Sequence, residues 1–214
     1  MLNFLAVILV GLLLGLRHAT DPDHVVAVTT IVSQQRSVWR AGAIGALWGI
    51  GHTVTLVVVG GGLILFRVAV SPRVGLSMEL AVALMLIALG LYALFADERA
   101  IDRYTAVRPL LVGTVHGFAG SGFASTLPVL AAIDQPRWAL AYLVVFGIGT
   151  ILGMMAVTAA IAVPSWYAAA RMTSARRYLR LASGALSVAF GLFPVHRIGV
   201  VDGLFTSHPE WTPK

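Results

Sequence analysis

The chain has 214 residues, of which 58% are hydrophobic and only 11% charged; soluble domains carry roughly 25% charged residues, so a water-soluble globular protein is excluded and an all-α integral membrane protein is expected. The formal charge of +6 does not call for nucleic acid, because the arginines fall in short segments between apolar runs, where they set orientation in a bilayer. With no cysteine in the chain, disulfides, haem attachment and thiolate metal sites are excluded.

Apolar runs at 3–32, 41–66, 75–96, 109–133, 138–163 and 180–196 approach or exceed the ~20 residues needed to cross ~30 Å of hydrocarbon. They predict about six transmembrane helices, the last one short, in a single domain spanning 1–214. The first run lacks a basic leader and a small-residue cleavage site, so it reads as a retained span and not as a signal peptide. Gly11 and Gly15 within it have the spacing that lets two helices pack closely. As one helix the run would be ~45 Å long, so a tilt or a break is expected.

That run contains Arg17-His18-Ala19-Thr20-Asp21-Pro22-Asp23-His24, five ionisable side chains in eight residues. Ionisable groups at membrane depth are costly and mark functional sites. Imidazoles and carboxylates without thiols suit a divalent ion such as nickel, cobalt or zinc. Pro22 lacks an N–H and its ring clashes with the carbonyl of His18, so the break is expected here. In a regular helix His18, Asp21 and His24 share an arc of about 120° while Asp23 points elsewhere. Only a kinked or unwound segment aims all four inward.

Helix 2 carries Trp48-Gly49-Ile50-Gly51-His52-Thr53. A lone buried histidine is usually just hydrogen-bonded to a carbonyl; next to the first cluster, His52 reads as a ligand. Gly60-Gly61-Gly62 should loosen the end of this helix. In helix 3, Glu79 reads as a solvated charge near an interface. Residues 97–108 form the linker between two halves, expected as a plain cytoplasmic loop. Helix 4 holds Val115-His116-Gly117-Phe118-Ala119-Gly120-Ser121-Gly122-Phe123, whose glycines permit an irregular backbone, tolerated at depth only where it faces protein or a cavity. Helix 5 holds Phe146-Gly147-Ile148-Gly149-Thr150, and helix 6 ends in Phe190-Gly191-Leu192-Phe193. His196 and His208 fall at or beyond the last membrane boundary and read as surface residues.

These landmarks repeat. A shift of 98 residues places His18 on His116 and Trp48-Gly49-Ile50-Gly51-His52 on Phe146-Gly147-Ile148-Gly149-Thr150, and a shift of 101 places Gly90-Leu91-Tyr92 on Gly191-Leu192-Phe193. Three spans per half force the second half to enter the membrane with opposite orientation. The expectation is therefore a 3+3 inverted repeat (about 1–96 and 109–196), with broken helices 1 and 4 and a substrate site near the midplane. Nine arginines (Arg36, Arg40, Arg99, Arg103, Arg108, Arg171, Arg176, Arg177 and Arg180) lie on one side. The other side has Arg67, Arg73, Arg137, Arg197 and Lys214. The asymmetry puts both termini outside the cytoplasm.

The pattern His18-x4-Asp23-His24 preceded by Arg17, followed by Gly51-His52-Thr53 and His116-Gly117-x-Ala119-Gly120-Ser121, resembles the nickel/cobalt permease superfamily, particularly its short urease-accessory type. The resemblance covers most of the chain. It implies that His18, Asp23 and His24 bind the transported cation and that His52 contributes to the same site; His116 is carried over as a further ligand. Pro22 stands where the family usually has a small non-proline residue, and no histidine-rich loop joins the halves.

The expected metal site thus comprises His18, Asp21, Asp23, His24, His52 and His116, with Arg17, Thr53, Ser121 and Thr150 in support and Arg17 holding Asp21 when the site is empty. The expected activity is secondary transport of Ni2+, with Co2+ as second candidate, across the plasma (inner) membrane. No G-x4-G-K-[ST] loop is present, and a divalent cation moving inward through 100 mV gains about 4.6 kcal/mol, twice ~2.3 kcal/mol per charge. Import is the favoured direction and export the nearest alternative. An intramembrane metal-dependent hydrolase is a weaker reading, since no H-E-x-x-H occurs and no general base is evident; a membrane scaffold explains neither the cluster nor the repeat. No catalytic residue and no resident cofactor are expected. The expected partners are the metal cation as substrate, the lipid bilayer and, as an option left open, further copies of the chain in a homo-oligomer.

Overall fold

The computed structural model describes residues 4–32, 35, 37–96, 106–133, 135–171 and 175–211. Among these the elements are α1 (Phe4–His18), α2 (Pro22–Val32), α3 (Val38–Phe66), α4 (Pro72–Phe95), α5 (Val107–His116), α6 (Gly120–Ala131), α7 (Pro136–Arg171) and α8 (Ala175–His196), the last continuing into a wider π turn at Arg197–Val201. No strand occurs among the described residues.

By length and hydropathy, α3, α4, the Pro136–Tyr167 stretch of α7 and the Arg177–Val201 stretch can each cross a membrane, and α1 with α2, bent by 56° at their short break, pass the same test together as a broken span or a re-entrant loop. The run expected as a fourth span, 109–133, is two short helices of 10 and 12 residues, neither long enough to cross alone. The sixth, expected to be short, is full length. The 97–108 linker lies mostly outside the described residues, and its last two positions already belong to α5.

Helix ends follow local chemistry. Arg40 N–H donates to the Ser37 hydroxyl at the start of α3 (3.4 Å), satisfying one of the amides a helix N-terminus leaves unpaired. The helix runs straight through Gly60-Gly61-Gly62, because Gly60 and Gly61 are seated against Leu143 and Leu140 of α7. It stops only at Arg67, in the left-handed region (φ 52°), whose N–H donates to Leu63 O. Pro72 opens α4 in the first turn, where its missing N–H costs nothing.

Apolar side chains line the outside, and the inside combines an apolar core with buried histidines, threonines and serines. Leu5, Leu9 and Leu13 form an exposed stripe on α1, and Val144, Ile148, Leu152 and Met155 one on α7, while all four histidines of α1, α2, α3 and α5 are buried.

Packing obeys one exchange rule. The principal contacts are α1 on α7, α5 on α3, α3 on α7 and α4 on α8. A Cβ on Gly15 would strike Phe146 O, and one on Gly149 would strike Leu12 O. Adding or subtracting 98 turns these pairs into Gly113 with Trp48 O and Gly51 with Leu110 O, which are likewise in contact. Between α4 and α8, Gly90 abuts Gly184 O and Val188. The 101 shift gives Gly191 with Ala83 O and Ile87, again observed. Close backbone approach at small residues is how apolar helices associate without a hydrophobic force, and these contacts occur in repeat-related pairs.

Candidate metal centre

The centre is built at the end of two short helices and the middle of a long one. Beyond His18 the chain leaves α1 by tight turns: Thr20 N–H donates to Arg17 O (2.8 Å) and Asp21 N–H to His18 O (3.1 Å). Pro22 then opens α2, and Val25 N–H donates to Asp21 O (3.0 Å). The three-residue break reorients Asp23 and His24 toward the side His18 faces. His52 enters from α3, and His116 is the last residue of α5, just before the Gly117–Ala119 break. Both halves contribute to one cluster.

His18, His24, His52 and His116 are at most 1% exposed, whereas the Asp21 and Asp23 side chains keep 28% and 26% exposure. His18 Nδ1 donates to Asp21 Oδ2 (2.7 Å). Asp23 holds two rings, accepting from His24 Nδ1 through Oδ1 (3.0 Å) and from His116 Nε2 through Oδ2 (3.1 Å). His18 Nε2 and His52 Nε2 lie 3.1 Å apart. An ionised carboxylate only accepts, so the partners assign the protons: His18 and His24 carry theirs on Nδ1, leaving both Nε2 lone pairs inward, and His52 donates from Nε2 to His18. His24 Nε2, His52 Nδ1 and His116 Nδ1 are buried with no hydrogen-bond partner among the described residues. Such orphaned imidazole nitrogens are costly in a packed interior and are the atoms a cation would engage.

Two sets of three residues bring one ligand atom each to within 4.8 Å of one another: His18, His24 and His52, and Asp23, His24 and His116. His24 belongs to both, and its ring centroid lies 4.5 Å from His18 and 4.3 Å from His116. The cluster is flanked by two aromatic residues, Phe146 at 5.4 Å from His18 and Trp48 at 5.5 Å from His116. These contacts are themselves related by the 98-residue shift.

The other expected site residues sit around this centre in different ways. Asp21 is held by His18, not by Arg17, which is exposed. Thr53 donates to Gly147 O (3.1 Å) and so ties α3 to α7. Thr150 is buried and donates back to Phe146 O (3.0 Å) within its own helix. Ser121 lies in the first turn of α6, its side chain outside the described part. His208 is exposed. Glu79 is not a freely solvated charge: its Oε1 accepts from Trp211 Nε1 (2.9 Å). Neither that bond nor the flanking roles of Trp48 and Phe146 were found from sequence, although the alignment of Trp48 with Phe146 in the repeat was a signal for the latter.

Comparison with known proteins places the chain in a family. The family model described as HupE / UreJ protein matches residues 4–197. The chain belongs to the HupE / UreJ family. Urease accessory protein UreH of Bacillus sp. (strain TB-90) is 32% identical over 221 residues, covering 95% of this chain and 96% of that protein. No solved structure matches the chain significantly. The family is a narrower assignment than the nickel/cobalt permease superfamily, and it agrees with the urease-accessory type the sequence resembles. All elements of the centre, from His18 to His116, fall inside the stretch that matches the HupE / UreJ model.

Proposed function

We propose that this HupE / UreJ chain is a secondary permease for a divalent transition-metal cation, Ni2+ first and Co2+ second, working as an importer. The observation that carries this reading is the pair of three-residue ligand sets sharing His24 inside a bent membrane span. Imidazole nitrogens of this kind suit nickel, cobalt and zinc, and among the described residues no oxygen-rich cluster favours magnesium or calcium. A cation entering at Asp23, His24 and His116 exchanges water for imidazole while the carboxylate offsets its charge. Because His24 also belongs to the other set, the ion passes to His18 and His52 without ever losing all its ligands. Asp21 fixes the tautomer of His18, which keeps the Nε2 lone pair available.

The mirrored helix contacts support an inverted 3+3 repeat with α1/α2 and α5/α6 as its two broken members, and the arginine distribution supports termini outside the cytoplasm. The name of the Bacillus relative supports nickel through the urease-accessory type that the sequence resembles. An enzymatic role is disfavoured by the acids themselves: Asp21 is engaged by His18, and Asp23 by His24 and His116, so neither is placed as a general base for a metal-bound water. The membrane potential supplies the driving force in the inward direction.

The test is accumulation of nickel, cobalt, zinc and manganese in parallel by cells expressing the chain or its His18→Ala and His24→Ala variants. Saturable nickel uptake should disappear in both variants at unchanged membrane levels. Normal uptake by both would overturn the site. Faster loss of nickel from preloaded cells, in place of uptake, would make the protein an exporter.

A further inference from the structure

A cavity of about 640 Å³ lies between α2, α4, the α5–α6 break and α8, with Asp23 of the metal centre on its wall. Val82 on α4 and Phe190 and Phe193 on α8 line it beyond Asp23, and Glu79 and Arg197 line it near the start of α4 and the end of α8. This space is open. Phe190 is 38% and Phe193 70% exposed, and α6 contributes only its first residue, Gly120, to the wall.

The 101-residue shift carries the cavity to the opposite end of the same two helices. It sends Glu79 to Arg180, Val82 to Ser183, Phe190 to Leu89, Phe193 to Tyr92 and Arg197 to Ala96. There the space is filled. Leu89 is packed on the core that includes Val28 and Val32 of α2. Thr30, in the third turn of α2, is buried, and its hydroxyl donates to Ser183 O (3.1 Å). Two arginines complete the closure. Arg180 Nη1 donates to Ala96 O (3.2 Å), joining α8 to the end of α4, and Arg180 Nε is buried with no hydrogen-bond partner among the described residues. Arg108, in the first turn of α5, donates from Nη1 to the Tyr92 hydroxyl (3.0 Å), its guanidinium carbon 5.0 Å from the ring centroid.

Resting on the permease reading above, we propose that the structure is the access state in which the centre is reached from the face where α4 begins, and that the cation leaves toward the other face along the α4–α8 seam that α2 now fills, with Arg180 and Arg108 as the lock at its end. The two halves match in their backbone contacts but not in this space: α2 lies along α8 where its counterpart α6 leaves a cavity. Opening the seam takes Thr30 off Ser183 and Arg180 off Ala96. Each tie is one hydrogen bond, so the closure is reversible. Charge gives the path a direction. The Glu79 carboxylate stands at the open end and the Arg180 guanidinium at the equivalent place in the closed one, so a cation is drawn toward the first and repelled by the second, and return from the far face is disfavoured.

The chain has no cysteine, so one introduced thiol reports on each space. Val82 and Ser183 are repeat-related and each 5% exposed, which makes Val82→Cys and Ser183→Cys a matched pair. In full-length protein in lipid nanodiscs, where both faces are accessible, a charged maleimide should label Ser183→Cys at least about tenfold more slowly than Val82→Cys, because it reacts only in a minor state. Arg180→Gln removes the charged donor and should raise Ser183→Cys labelling about tenfold. Arg180→Lys keeps a charged donor and should stay closer to the parent, and Thr30→Val should act as Arg180→Gln does, by a smaller factor. Val82→Cys labelling should not rise in any of these backgrounds. Equal rates at the two positions in the parent would overturn the assignment of open and closed faces. No rise with Arg180→Gln would overturn the lock, and so would an equal rise at Val82→Cys, which marks general loosening. No labelling at Val82→Cys, while Ser71→Cys at the exposed surface reacts normally, would mean that lipid fills the cavity and would overturn the open state. Labelling needs no transport, so a parent that takes up no nickel and still shows this pattern loses the permease reading and keeps the closed seam.

Discussion

At the scale of single residues, the centre is organised by its two carboxylates. Asp21 binds one ring and Asp23 binds two, so the acids orient imidazoles as much as they balance charge. Asp21→Asn keeps the shape and removes the charge; metal affinity should fall about 10–100-fold, the usual effect of losing a partner that fixes a ligand's tautomer, as measured by titrating purified protein with nickel. Unchanged affinity would mean that His18 does not ligate through Nε2. His18 and His116 belong to different ligand sets linked by His24 and Asp23, so His18→Gln and His116→Gln should be coupled by about 0.5–3 kcal/mol in a double-mutant cycle of nickel affinity. Additive losses would reduce His116 to a packing residue. The identities in this cluster were legible because five ionisable groups inside an apolar run have few explanations. The pairings were less so: Arg17 and Asp21 are four residues apart and His18 and Asp21 three, both pairing distances on a helix, and spacing does not choose between them; Asp21 lies on His18. Glu79 was misread for a related reason, since its partner Trp211 lies 132 positions away and no local pattern links the two.

At the scale of helices, the sequence revealed spans better than breaks. Pro22 announced the first break through a steric rule that involves one residue and its own helix. Gly60-Gly61-Gly62 suggested a loosened end to α3, yet the helix continues to Phe66 with Leu140 and Leu143 of a distant helix packed on that face, and tertiary contact outweighs the local cost of glycine. The duplicated backbone contacts give a sharper expectation. Gly15→Val and Gly113→Val each force a side chain into a carbonyl of a facing helix and should destabilise the protein by similar amounts, about 1–3 kcal/mol or more. Gly42→Ala and Gly62→Ala, where nothing lies within 4 Å of an added Cβ, should be harmless. Thermal unfolding in detergent separates these outcomes; a stable Gly15→Val protein alongside an unstable Gly113→Val protein would break the exchange rule.

At the scale of the molecule, exposed aromatic residues form two bands. Trp39, Phe95, Trp166, Tyr167 and Tyr178 lie near the helix ends on one face, and Phe66, Phe193 and Phe205 on the other, where membrane interfaces attract such rings. With the arginine count, the first band is expected at the cytoplasmic interface. A charged thiol reagent should therefore modify Ser71→Cys in intact cells and Ser37→Cys only after permeabilisation; the reverse pattern would invert the topology. The exchange rule has a thermodynamic consequence as well. Two identical halves trading conformations would give two access states of equal free energy, each half populated. In this chain the counterparts of Asp21, Asp23, His24 and His52 are Ala119, Ser121, Gly122 and Thr150, so the scaffold is doubled but its chemistry is not. On the permease reading the degeneracy would be lifted, and a bound cation would shift the populations only by the difference in its affinity for the two states.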